Sequence, residues 1–292
     1  MTPEEIRLLP FFWSVRRRRY WNQCRRRYFL HYYLARLGRY EEADPDCREA
    51  CELDRRVTAR AFVRIMLCRA IAEMFRSGTE GSVAVAAELN ARYEVNRMIK
   101  YPDSVKQIIS EIADGNFSQT CTLRDMMAEI RKGGERIDAN FWTKIQYIPK
   151  YYRKMVEQPQ KVDFMELACY FVPALAFANH GEMWILESCS VQDAGDLISC
   201  LHRMWVANEL KRDPTKVRSL YLDENFEVKQ LDELTSVSAF LDEIKQDIHN
   251  MTEAEQEGFV SLRDFPPSPG SGCAACQFFK FCSKRGTFKA ES

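Results

Sequence analysis

The sequence contains no apolar stretch long enough, and free enough of charge, to span a bilayer, so no membrane partner is expected. It also lacks a net charge. Its 42 basic and 42 acidic side chains cancel, so no global field draws the chain towards a polyanion. Histidine is scarce, and the four present, His31, His180, His202 and His249, show no mutual metal-ligand spacing. There is no phosphate-cradling glycine loop and no Ser/His/Asp arrangement, which excludes ATP-driven chemistry and any nucleotide cofactor from the expectations. Thr2-Pro3-Glu4-Glu5 is the wrong chemistry for a signal peptide, and the expected location is the cytoplasm.

What is present is the composition of an ordinary globular protein: 292 residues, 46% hydrophobic and 29% charged. A single domain over 1–292 accommodates that length, and it needs no disulfides. The 11 cysteines are odd in number and mostly isolated in apolar or helical stretches, which reads as free core thiols rather than a secreted scaffold. Charge, although balanced overall, is unevenly placed. Between Met1 and Tyr40 there are ten arginines against two acids, Glu4 and Glu5. The runs Arg16, Arg17, Arg18, Arg19 and Arg25, Arg26, Arg27 form a candidate nucleic-acid-binding stripe, because guanidinium forks match phosphate oxygens and nearby Tyr and Trp rings can stack on bases. The competing reading is a solvated helix face paired with acids elsewhere.

Along the chain, Thr2-Pro3-Glu4-Glu5 predicts a short capped helix closed by Pro10. A longer helix is expected from Ser14 to about Leu37, with Tyr20, Cys24, Tyr28 and Tyr32 on one face and Gly38 as its stop. Helical patterns over Arg55–Arg76, Ser82–Lys100, Ser104–Gly115 and Thr122–Arg131 make a helical insertion over 55–132. No internal repeat is detectable. The pattern then changes, and a core β-hairpin is expected around Asn179-His180-Gly181, joining Tyr170–Phe177 to Met183–Glu187. A helix from Asp193 to about Leu210, strands Val217–Leu222 and Phe226–Gln230, and a helix from Ser236 to about Met251 complete an α/β pattern. The Pro- and Gly-rich stretch from Pro266 delivers a last cysteine cluster, in the segment 266–292.

That cluster is Cys273-Ala-Ala-Cys276, followed five residues later by Cys282. Three thiols in one short Gly-preceded segment suit a metal ion or an iron–sulfur cluster, and such centres commonly take four soft, charged donors. Cys24 is the first candidate for the fourth, with Cys47 and Cys51 as alternatives. A redox pair is the other reading of Cys-x-x-Cys, but it would not use Cys282, and no thioredoxin-like βαβ unit precedes it. Spacing alone does not separate zinc from iron.

Cys24 in its Tyr- and Arg-rich setting, Trp21-Asn22-Gln23-Cys24-Arg25-Arg26-Arg27-Tyr28-Phe29, together with Cys-x2-Cys-x5-Cys at the far end, resembles the iron–sulfur nucleases of the PD-(D/E)xK superfamily. These include RecB-type exonuclease domains, the B subunits of bacterial helicase-nucleases and the CRISPR-adaptation exonucleases. The resemblance runs from Ser14 to Cys282. It implies a nuclease-like core, a mixed sheet flanked by helices, whose ends are stapled by a 4Fe–4S cluster on Cys24, Cys273, Cys276 and Cys282, with Zn²⁺ as the alternative. It also implies an Asp on one strand and Asp/Glu-x-Lys on the next, holding Mg²⁺ or Mn²⁺ for water activation. Here the motif is degenerate. The first acid falls near Ala174, Glu187 fits the second, and Cys189 stands where the Lys belongs. A shifted register would bring in Asp163 or Glu166. The upstream His would lie near Cys68, and Ile198 and His202 sit where a Gln-x3-Tyr helix would place its two side chains.

The resulting expectation is a catalytically degenerate, DNA-binding pseudoenzyme or structural partner in a DNA-processing complex, with Glu187 as a remnant acid. Two alternatives are an active metal-dependent DNA exonuclease with a rearranged site and a zinc-clasped interaction protein.

Overall fold

The computed structural model describes residues 11–115, 123–148, 160–164, 167–187, 195–231, 237–256, 262–273 and 276–285. The expected opening helix and Cys121, Glu166 and Cys189 lie outside these. The chain is mixed α/β and forms two compact units, one of residues 1–57 with 241–292 and one of 58–240. Among the described residues no helix is long and apolar enough to cross a membrane.

Helix α1, Val15–Gln23, starts where the Ser14 hydroxyl accepts the Arg17 N–H at 3.1 Å. The expected continuous helix is interrupted at Cys24, which is extended (φ −164°, ψ 111°). Helix α2 then covers 25–37: Arg25–Phe29, a π-helical turn Leu30–Leu34, and Ala35–Leu37. No Gly or Pro marks the break. The Cys24 N–H reaches Tyr20 O and the Cys24 carbonyl accepts from Tyr28, so this one residue closes α1 and opens α2. Gly38 ends α2 in an ordinary right-handed conformation. It is required for space: a Cβ there would collide with the Cys47 carbonyl of the next helix. That helix, α3 (Pro45–Asp54), was not anticipated although its signals are present, since Asp44 caps the Asp46 N–H at 2.8 Å and Pro45 opens the first turn.

In the second unit, α4 (Ala59–Ser77) is capped by Thr58 and stopped by left-handed Gly78 (φ 70°). Helix α5 (Val83–Lys100) and helix α6 (Leu123–Ile137) pack against it. Asp138 caps α5 from the far side of the bundle, accepting from Ser82 Oγ at 2.6 Å and the Val83 N–H at 2.7 Å. The helix expected over Ser104–Gly115 is replaced by a 3₁₀ turn Pro102–Ser104, a two-residue strand Ile108–Ile109 and a short helix Ser110–Ala113.

Strands β1 (Gln160–Phe164) and β2 (Leu167–Phe171) form an antiparallel pair with Val162 opposite Cys169. A four-stranded sheet follows in the order β3-β4-β5-β6. It consists of β3 (Pro173–Asn179), β4 (Glu182–Glu187), β5 (Val217–Leu222) and β6 (Val228–Gln230). β3 and β4 are joined by the expected tight turn, with His180 and Gly181 both at positive φ. β4 and β5 run parallel, connected through α7 (Gly195–Asn208). Helix α8 (Val237–Gln256) leads back into the first unit, which ends with α9 (Phe279–Lys284).

The core of the first unit is aromatic. Phe265 stacks on Phe29 at 4.9 Å and 13°, with Trp21, Tyr28 and Tyr33 around it. Each such ring removes roughly 150–250 Å² from water, so this cluster is the main apolar term holding the two chain ends in one unit.

Helices α5 and α6 meet at glycine. A Cβ on Gly134 would enter the Ala84 backbone and lie 2.7 Å from Ala84 Cβ. Gly134→Ala therefore lowers stability by roughly 1–3 kcal/mol through overpacking, which outweighs about 1 kcal/mol gained in helix propensity. Urea unfolding measures this, and a neutral or stabilised variant would show that the helices do not approach so closely.

Candidate metal centre

Cys24, Cys273, Cys276 and Cys282 line one cavity of about 20 Å³, entirely within the first unit. Cys24 arrives from the break between α1 and α2, whose extended backbone takes its side chain out of the helical row. Cys273 ends the 3₁₀ turn Ser271–Cys273, its N–H bonded to Gly270 O at 2.9 Å. The chain then coils onward: Cys276 N–H bonds Cys273 O, Phe279 N–H bonds Cys276 O, and Cys282 N–H bonds Phe278 O in α9. Phe278 and Phe281, both 0% exposed, pin α9 against Leu30 and Leu53 and so fix where Cys282 stands. Cys47 and Cys51, the alternative fourth ligands, sit on α3 and do not line the cavity.

The walls are largely apolar, with Leu30, Pro267, Phe278 and Phe279 beside the thiols. Burial pushes the Cys282 thiol up to about 11; nearby Arg26 opposes the rise, while Cys276, Cys24 and Cys273 add to it. Burial also raises Cys276, against the Phe278 N–H and Arg27. Four soft sulfur donors, with the guanidinium groups of Arg26 and Arg27 nearby, suit a cation bound through thiolates. Among the described residues, however, no three His, Cys, Asp or Glu side chains are gathered as a ready-made group for a single ion.

The chain matches no family model, no curated protein and no solved structure.

The arginine runs are not one continuous stripe. Arg17 is 2% exposed, giving Nε–H to Tyr28 Oη at 2.9 Å, Nη2 to Tyr33 Oη at 3.0 Å and Nη1 to Phe12 O at 3.1 Å. Arg26 is 6% exposed and gives Nε–H to Phe265 O at 2.6 Å. Both are structural, which corrects their reading as phosphate ligands. Arg18 pairs with Glu243 and Asp247, and Arg27 faces the cysteine cavity. Arg16 and Arg25 are exposed and Arg19 is half-buried. Periodicity could not have separated these roles, because Arg17 is claimed by tyrosines 11 and 16 residues away.

Glu187 ends β4, opposite Pro173, and Ala174 lies in the register irregularity beside that pair. The position expected for a first acid therefore adjoins Glu187 but carries no carboxylate. Glu187 is 2% exposed, and its Oε2 lies 3.4 Å from Nε2 of His202 on α7; His202 Nδ1 is 2.9 Å from Ser219 Oγ on β5. His202 is fully buried under the Phe171 ring. The remnant acid is thus enclosed by protein groups. Cys68 lies buried in α4, and Ile198 is buried on α7. His202→Leu removes one group that engages buried Glu187 and also the Ser219 contact, and is expected to cost roughly 1–3 kcal/mol, whereas Glu187→Leu with His202→Leu costs less than the sum of the two single changes. Urea titration of the single and double variants measures the coupling; additive losses would show that the two side chains do not support one another.

Behind the cysteine cavity, His31 Nδ1 contacts Asp54 Oδ1, and the same oxygen accepts Gln277 Nε2 at 3.2 Å. Burial holds His31 below the ordinary imidazole range, although Asp54 pulls the other way. The unfolded chain then takes up a proton near pH 6.5 that the folded one refuses. Stability falls as pH drops through that range, and His31→Gln flattens the slope; unfolding free energies between about pH 7.5 and 5.5 give the comparison.

Proposed function

We propose that the chain carries a four-cysteine 4Fe–4S centre and serves as a non-cleaving, nuclease-like partner in a DNA-processing complex. The observation that carries this reading is the convergence of Cys24 with Cys273, Cys276 and Cys282 on one cavity, although the first and second lie 249 positions apart. A tetrahedral zinc site, with Zn–S near 2.3 Å, requires sulfurs about 3.8 Å apart. The superfamily resemblance favours the iron–sulfur centre over zinc; when bound, its chemistry would be to cross-link the two segments and accept an electron.

The nuclease-like part of the reading is supported by the succession of β3, β4 and α7, with Ala174, Glu187 and His202 at the positions where the superfamily resemblance expects its first acid, second acid and helix side chain. Loss of cleavage is supported by the chemistry of that triple. A catalytic Mg²⁺ or Mn²⁺ keeps its waters and needs anionic ligands to localise it, whereas Glu187 stands beside Ala174 and is engaged by a buried histidine. Any DNA contact falls first to Arg16 and Arg25, the exposed members of the basic runs, with Arg18 and Arg19 at their margins. Binding through so few cations is weak and salt-sensitive.

The deciding measurement is iron, zinc and acid-labile sulfide in anaerobically purified protein, with its visible spectrum. About four iron and four sulfide per chain are expected, falling sharply in Cys24→Ser and Cys282→Ser. Zinc without sulfide would support the zinc-clasped interaction protein instead, and no metal would remove the centre. On labelled single- and double-stranded DNA with Mg²⁺ or Mn²⁺, no cleavage is expected. Cleavage abolished by Glu187→Ala would overturn the non-cleaving reading in favour of a rearranged exonuclease.

A further inference from the structure

Arg27 lies three residues beyond Cys24, in the first turn of α2, and forms part of the cysteine cavity wall. Its guanidinium is held in place from several directions. Nη1 donates to Gln23 Oε1 at 3.2 Å, Nη2 donates to Gln277 Oε1 at 3.3 Å, and Cζ stands 4.1 Å from the Tyr20 ring centroid. Gln277 adjoins Cys276 in sequence and is itself anchored to Asp54, so the arm that steadies Arg27 leads back to the cysteine segment. The Nε–H is buried and has no hydrogen-bond partner among the described residues. A buried, charged donor left unpaired is costly, and proteins rarely retain one without an acceptor. Arg26 differs: its Nε–H is already taken by Phe265 O.

We propose that Arg27 donates its Nε–H to a sulfur of the metal centre, and thereby sets how readily the centre accepts an electron and how firmly it is kept; this rests on the four-cysteine reading above. A centre ligated by four thiolates is anionic, and each added electron makes it more so. A fixed N–H and positive charge at its edge therefore favour the reduced state. Lysine would supply charge without the planar fork that engages Gln23, Gln277 and the Tyr20 ring at once. In this proposal Arg27 is a positioning residue for the centre, without a catalytic role.

The test compares wild type, Arg27→Lys and Arg27→Leu, each purified anaerobically and verified as folded by circular dichroism. Iron and sulfide content, the midpoint potential from a dithionite titration followed by electron paramagnetic resonance, and the rate of iron transfer to a chelator are measured. Arg27→Leu is expected to retain the centre but to reduce about tenfold less favourably, a shift of about −59 mV for one electron, and to lose iron several-fold faster. Arg27→Lys, which keeps the charge, should fall between the two. Unchanged potential and transfer rate in iron-loaded Arg27→Leu would overturn the role of Arg27 while leaving the cluster intact. Wild type devoid of iron and sulfide would overturn the cluster reading itself. If Arg27→Leu does not fold, Gln277→Leu, which releases one arm of the guanidinium, should move the potential in the same direction, and no shift there would count against the proposal.

Discussion

A guanidinium enclosed by aromatic rings holds the first unit together. Arg17 Cζ lies 4.2 Å from the Phe11 ring centroid, 4.7 Å from Tyr32 and 5.2 Å from Tyr28, while its N–H groups reach two phenol oxygens and a carbonyl. Taking such a charge out of water costs several kcal/mol, so it stays there only because hydrogen bonds and ring faces replace the lost hydration. The consequence is geometric. Tyr28 and Tyr33 belong to α2 and Arg17 to α1, so satisfying the guanidinium dictates the angle between the two helices. The bend that results falls at Cys24, and it is this bend that carries the thiol into the cavity.

The same cage explains why a dense basic segment need not be a binding surface. Composition shows ten arginines near one end, yet Arg17 and Arg26 are spent on the interior and Arg27 on the cavity. Local charge density reports the number of cations and says nothing of where their heads lie. In this unit arginine acts as a core residue, serving aromatic faces and backbone carbonyls.

The parts of the fold legible in the sequence are those with a local cause. The turn at His180 and Gly181 needs positive φ, Gly78 closes a helix in the left-handed region, and Val217–Leu222 is flanked by turn residues on both sides. Cys24, Cys273, Cys276 and Cys282, grouped by their spacing in the sequence, line one cavity. What could not be read has a distant cause. The break at Cys24 answers to Arg17 and its tyrosines. The enclosure of Glu187 depends on His202 and Ser219 arriving from two other elements. The segment over Ser104–Gly115 is helical in composition, yet most of it is not helix. Helix α3 is a different case, since Asp44 and Pro45 announce it locally.

The first unit is made from residues 1–57 and 241–292, and this has a bearing on how the chain is made. At about 5–20 residues per second, the ribosome delivers the second portion on the order of ten seconds or more after the first. For that interval Trp21, Tyr28, Phe29 and Tyr33 have no Phe265 to stack on, and Cys24 has no companion thiols. The second unit, contiguous in sequence, can finish folding in the meantime. Until residues 241–292 emerge, the segment 1–57 is therefore a thiol-bearing apolar surface awaiting its other half.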